Sequence, residues 1–491
     1  VLNDCASQYN HLIYERAFND GRSVLFLVSE NAYRKITNCS QRRTGMINSV
    51  GVVAKKHKDF GQLADGYLKK TPIFQFIIVS LMFPLWGTAA SLNDILITQF
   101  KTVFALNDAA TAFVQSAFYG GYFLVAIPAS FVIRKASYKV TIMTGLVAYI
   151  LGAGLFFPAS RVATYSMFLV AIFAIAIGLS FLETASDTYS VMMGPKKYAN
   201  LRLNISQILN PVGSIAGILL GKYLIFGSGG NLSEKMASLH GAERLAYGES
   251  MLQLTLQPYK YILFVLVIML LILAVTKMPS AKPIVTGTQL AKVSFRQSIA
   301  YLRQNDRFKK GVLAQFIYVG MQTAVWSFTI RLALDVNHHI TDAAASNFMI
   351  YSYVVFFLGK VVATWLFTQL KATQVLTAYS VLGTMALLLA TFAPGMVAVY
   401  AAVGASFFFG PQWPTIYAHT LDHVTDKRYT ETAGAILVMA IVGGAVIPAV
   451  QGLVSDAVGS MQLSFLVPTI AFALVSYYFA TEVKQDMATG R

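Results

Sequence analysis

The chain has 491 residues, 56% hydrophobic and only 12% charged, against roughly 25% charged in an ordinary soluble domain. That balance excludes a soluble enzyme, the long unbroken apolar runs exclude a β-barrel, and the length holds twelve spans of about 20 apolar residues with loops to spare. A net charge of +16 would raise nucleic acid in a soluble protein; here basic loops beside a lipid bilayer account for it, and no nucleic-acid partner is expected.

Residues 1–70 are polar and basic, with no 18-residue apolar run and no cleavable signal pattern. Met46 is the first methionine, so this cytoplasmic leader reads equally well as functional or as upstream translated sequence with no function. Both cysteines, Cys5 and Cys39, lie in it, so no disulfide is expected in the membrane body and the redox compartment is not readable.

From Pro72 onward the spans are expected at 72–97, 108–133, 139–158, 163–193, 201–226, 258–277, 311–335, 341–369, 373–393, 395–422, 430–454 and 460–481. They form an N-terminal six-helix bundle (71–277) and a C-terminal one (311–491), joined by a basic linker (278–310) with Lys282, Lys292, Arg296, Arg303, Arg307, Lys309 and Lys310. The fold class is thus an all-α membrane protein of twelve helices in two bundles. Lys and Arg also concentrate after spans 2 (Arg134, Lys135, Lys139), 4 (Lys196, Lys197, Arg202) and 10 (Lys427, Arg428). The positive-inside rule makes that side, and both termini, cytoplasmic. Two six-helix halves suit rocking about a central site. Repeat similarity is weak, the matching loops being IRKASYK (133–139) and QLKATQ (369–374).

An ionisable group inside an apolar span costs on the order of 2.5–3.5 kcal/mol on insertion scales, so it needs a partner or a task. Asp94 lies in span 1 beside Asn93, and Glu183 and Asp187 lie four apart in span 4, on one helical face. Burial and a neighbouring carboxylate both penalise the charged form, so such groups can exchange protons near neutral pH. Asp94 and Glu183 are therefore assigned to proton coupling. Asp187 is an extra acid, expected close enough to the cytoplasmic loop to be wet.

Gln115 and Tyr119 in span 2, Gln207 and Asn210 in span 5, and Gln322, Thr323 and Trp326 in span 7 form a polar and aromatic set. Amides beside aromatic rings suit a polar uncharged, polyhydroxylated ligand, although interhelical hydrogen bonding uses the same residues. His419 and His423 have the i, i+4 spacing that can hold a metal, with Asp422 between them, but a helix terminus explains them and no metal is expected. His338 and His339 lie in an outer loop. No GxxxxGK[ST] loop occurs, against an ATP-driven pump. VGGAVIP (442–448) and GPQWPTIY (410–417) mark bending points.

Taken together, LNDIL (92–96), QSAFYGGYF (115–123), LETA (182–185), RLN (202–204) with Gln207 and Asn210, QTAVWS (322–327), PTI (414–416), GGAVIP (443–448) and GLVSDAVG (452–459) resemble the fucose/galactose/glucose branch of the major facilitator superfamily, most closely its L-fucose/proton symporters. Residues 1–70 lie outside the resemblance. It implies a secondary transporter importing a fucose-like monosaccharide with protons by alternating access, in a bacterial inner membrane and without a cofactor. Asp94 and Glu183 match the family's coupling acids, and Gln207 and Asn210 its cavity amides. Where fucose symporters show ETAANP, this chain reads ETASDT, and Ala90 and Ser91 replace two asparagines, so the sugar and the ion stay open. Sodium-coupled hexose or N-acetylhexosamine transport, or a sugar sensor that does not transport, are the competing readings.

Overall fold

The computed structural model describes residues 60–488 except 105–107, 225–237, 255, 283–293, 338 and 341; most of the leader, with both cysteines, and His338 lie outside them. The described residues are helical, the only β pairing among them being one isolated bridge between Gln62 and Leu68. Each expected span is met by a helix or by two or three consecutive ones, and among the described residues ten helical stretches are long and apolar enough to cross a membrane. The other two expected spans are helical as well. Span 7 is Asp306–Val336, 31 residues diluted by Gln315, Gln322 and Thr323, and span 10 is divided into Met396–Phe409 and Gln412–Asp422 at Gly410 and Pro411.

Local sequence dictates the breaks. Span 1 consists of Ile73–Ser80 and Phe83–Val103, with Pro84 in the first turn of the second helix, where a missing N–H costs nothing. Span 5 is Ala199–Gln207 and Leu209–Leu224, with Pro211 in the first turn of the second helix. Spans 1 and 5 pack through GSIAG (213–217). A Cβ on Gly213 would fall 2.0 Å from the Pro84 carbonyl oxygen, and one on Gly217 2.2 Å from Ser91 Oγ. Small residues four apart let two backbones approach.

Two loop expectations change. Within 227–257 the chain forms a helix, Gly241–Leu254. In the basic linker, Phe295–Gln304 is an amphipathic helix begun by a capping box of Ser294 and Gln297 and anchored by buried Leu302. Tyr301 of this helix stacks on Tyr429 at 4.2 Å and meets Thr425 Oγ1 at 2.8 Å.

Two of the loop cations are also not loop residues in any solvated sense. Arg202 is buried and donates to the carbonyls of Ser190, Val191, Gly194 and Pro195, the first two being oxygens that the last turn of span 4 (Tyr165–Met192) leaves without helical partners. Lys427 is buried and donates to the Leu421 carbonyl at the end of span 10, at 3.1 Å. Each cap accompanies a short 3₁₀ turn, Lys196–Tyr198 or Lys427–Tyr429, that leads straight into span 5 or span 11. The same device in spans 4–5 and 10–11 is a structural repeat of the two halves.

The halves meet on the side of these basic loops. Thr188 Oγ1 in span 4 and Tyr417 OH in span 10 are 2.7 Å apart, Asn204 Nδ2 in span 5 donates to Thr415 Oγ1 in span 10 at 3.1 Å, and Lys196 Nζ pairs with Asp422 Oδ1 at 2.9 Å.

Candidate functional site

Beyond those contacts, between the halves, lies a cavity of about 170 Å³. The N-terminal half gives it Tyr119, Tyr122, Glu183, Gln207, Asn210 and Ser214, together with Trp86 and Phe118. The C-terminal half gives it Gln322 and Lys360 among Trp326, Tyr353, Phe356 and Trp413. One wall is therefore rich in carboxyl, amide and hydroxyl groups, and the facing wall is mainly aromatic. The aromatic wall is itself packed: Trp326 lies 4.7 Å from Tyr353 and 5.1 Å edge-to-face from Phe356, and its Nε1 donates to Ser406 Oγ at 3.1 Å.

Span 4 supplies the acids because its second half is buried on every face, from Leu182 to Met192, polar residues included. Glu183 is 5% exposed and hydrogen-bonded by the Tyr122 hydroxyl. Asp187, expected to be wet, is fully buried, which corrects that expectation. Its Oδ1 accepts from Gln207 Nε2 at 3.2 Å and its Oδ2 has no hydrogen-bond partner. The physical reason is the seal beneath it: Thr188 and Tyr417 close the helix pair one residue further toward the basic side.

Lys360, in span 8 (Asp342–Leu366), is a buried charge lining the cavity that the sequence reading missed. It is 3% exposed, within electrostatic reach of both Glu183 and Asp187, and its ammonium lies 4.7 Å from the centre of the Phe356 ring. Its Nζ donates to the backbone carbonyl of Gln207 at 3.0 Å. That carbonyl is available for a definite reason: its helical donor would be the N–H of residue 211, and residue 211 is proline. The insertion-cost argument applied to the carboxylates holds equally for the single charge in VVFFLGKVVATW (354–365), and would have found it.

The remaining expected site residues divide. Tyr119, Gln207, Asn210, Gln322 and Trp326 line the cavity, and Asn210 Nδ2 also reaches the Phe83 carbonyl at 3.5 Å. Asn93 does not line it. It lies on span 1 almost a turn beyond Ala90, buried, with its Oδ1 unpartnered. The side chains of Asp94 and Gln115 lie outside those described.

Comparison with known proteins places this geometry. The family model of the Major Facilitator Superfamily matches residues 73–424. The L-fucose-proton symporter of Escherichia coli (strain K12) is 35% identical over 420 residues, 85% of this chain and 94% of that protein. The L-fucose-proton symporter of Haemophilus influenzae is 33% identical, over 84% and 97% of the two chains, and a glucose/galactose transporter of Brucella abortus is 28% identical, over 82% and 93%. Among solved structures, the E. coli fucose:proton symporter FucP, as an asparagine-to-alanine variant, is 34% identical and superposes with a TM-score of 0.76, covering 84% of this chain and 99% of that one, and a Major Facilitator Superfamily transporter, FucP, in the outward conformation is 35% identical with a TM-score of 0.75, covering 83% and 98%.

Proposed function

Because the chain belongs to the Major Facilitator Superfamily and, within it, to the fucose/galactose/glucose family, transporters and not enzymes, we propose that it imports a neutral, fucose-like monosaccharide together with protons by alternating access. Both termini are then cytoplasmic, and the basic loops face the cytoplasm of a bacterial inner membrane. The observation that carries this reading is the buried cluster of Glu183, Asp187 and Lys360 at the border of a cavity with one polar and one aromatic wall.

The polar wall offers donors and acceptors for hydroxyl groups, and the rings opposite offer flat apolar faces for the C–H side of a pyranose. Two carboxylates and one ammonium leave the cluster with a single negative charge when all are ionised. One proton makes it neutral, and a neutral cluster in a dry cavity avoids the several kcal/mol that an uncompensated buried charge costs. Proton and sugar then favour the same closed state, and each raises the affinity for the other. A sodium ion would share this space with the Lys360 ammonium, a repulsion that favours the proton.

The test is uptake of labelled L-fucose into proteoliposomes under an imposed pH gradient, with D-galactose, D-glucose and N-acetylglucosamine as competitors and choline replacing sodium. The expected result is sodium-independent accumulation, competition led by L-fucose, and Glu183→Gln losing accumulation while keeping exchange. Full accumulation in Glu183→Gln removes that residue from coupling, and dependence on sodium at fixed pH removes the proton.

A further inference from the structure

At the basic end of span 10, away from the cavity, His419 and His423 direct their Nε2 atoms toward one another at 3.2 Å. Both meet the same carboxylate oxygen of Glu482, from span 12 (Leu466–Ala488), at 2.9 and 3.3 Å. The Glu482 side chain is wholly buried and its other oxygen has no hydrogen-bond partner.

With Glu482 ionised, no placement of protons makes all three edges two-centre hydrogen bonds. A neutral imidazole nitrogen carries either one proton or one lone pair, never both. The edge between the two nitrogens uses the donor's only proton, and that nitrogen then offers the carboxyl oxygen neither a second proton nor a lone pair. Protonating both nitrogens toward the oxygen instead sets N–H against N–H across 3.2 Å. A cation at the centre resolves the conflict, since it takes one lone pair from each of the three atoms. In a tetrahedral zinc site with bonds of about 2.0–2.2 Å, neighbouring ligand atoms stand about 3.3–3.6 Å apart. The observed edges reach that geometry with a small expansion.

We propose that His419, His423 and Glu482 bind a divalent transition-metal cation, of which Zn²⁺ fits the donor set best. Two imidazoles and a carboxylate suit its borderline character, and three protein ligands leave a fourth position open. His423 lines a second cavity, of about 670 Å³, that also has Asp65, Asp422 and Thr425 in its wall and gives the ion a route in. Three cations share that wall: Lys196, engaged by Asp422; Lys427, engaged by the Leu421 carbonyl; and Arg307. A bound ion pins span 10 to span 12 inside one half, and so fixes the helix end from which Tyr417 and Asp422 reach the other half.

The site is tested on the full chain, purified in detergent without a polyhistidine tag and stripped with a chelator. It is titrated with Co²⁺ and followed by the visible absorption of tetrahedral cobalt, with Zn²⁺ as competitor and no sugar present. One equivalent of Co²⁺ displaced by Zn²⁺ is expected, with affinity falling at least tenfold in His423→Gln and in Glu482→Gln and unchanged in His339→Gln. Absence of a stoichiometric cobalt spectrum in the wild-type chain overturns the proposal without any variant having to fold, as does unaltered binding in the two ligand variants.

Discussion

At the scale of single residues, the cavity turns on a carbonyl that a proline sets free. Lys360 holds the Gln207 oxygen across the two halves, and a hydrogen bond from a charged donor contributes about 1.5–3 kcal/mol. Replacing it as Lys360→Met removes both this tether and the counter-charge to Glu183 and Asp187. Proton-driven accumulation is expected to fall tenfold or more, corresponding to about 1.4 kcal/mol, with the chain still folded by thermal melting in detergent. Undiminished accumulation would detach Lys360 from coupling. A second residue-scale expectation concerns Asp426, in the loop between spans 10 and 11. The Arg428 guanidinium, followed by the Arg428 backbone N–H, holds its carboxyl below the ordinary carboxylate range. A lowered folded-state value contributes stability that is complete above the unfolded value, about 3.9, and is lost as pH falls through the folded one. Protection of the amides at residues 426–429, taken relative to the intrinsic exchange rate at each pH, should therefore be constant above pH about 4 and fall below it.

Elements were the most legible part of this sequence. Runs of apolar residues fix where helices cross a bilayer because a helix alone satisfies its backbone hydrogen bonds within a single segment there, and all twelve expected spans coincide with helices. What periodicity alone could not convey was how spans are interrupted and what caps them. Arg202 and Lys427 read as solvated loop charges, yet both are buried on helix-end carbonyls. The helix Phe295–Gln304 carried its Ser294–Gln297 capping signal in plain view inside what read as a charged linker. Asp187 could not be placed by hydropathy, since its dryness depends on Tyr417, 230 positions away, and Glu482 was unreadable as a partner of His419 for the same reason. Close approach of spans 1 and 5 makes a further prediction. Gly213→Val puts a side chain against the Pro84 carbonyl and should destabilise by about 1–3 kcal/mol, the usual range for overpacking. Gly120→Ala, with nothing within 4 Å of the added atom, should melt like the parent. Equal melting of both would mean that these helices do not touch.

For the molecule as a whole, the question is how firmly the two halves are held on the basic side. The Lys196–Asp422 pair is half exposed, and such pairs contribute about 0–1 kcal/mol. The neutral hydrogen bonds Thr188–Tyr417 and Asn204–Thr415 add about 0.5–1.5 kcal/mol each. Together they amount to a few kcal/mol, the range in which two conformations stay in exchange. Joining Asn204→Cys to Thr415→Cys by oxidation, in a background lacking Cys5 and Cys39, should reduce uptake to background, with recovery on adding reductant. Transport that survives the crosslink would show that this seam need not open.

The two walls of the cavity enclose about 170 Å³, the share of liquid taken by about six water molecules. That scale matches a single sugar ring. If the cargo is the monosaccharide proposed above, its supply falls to hydrolases that release single sugars from glycans.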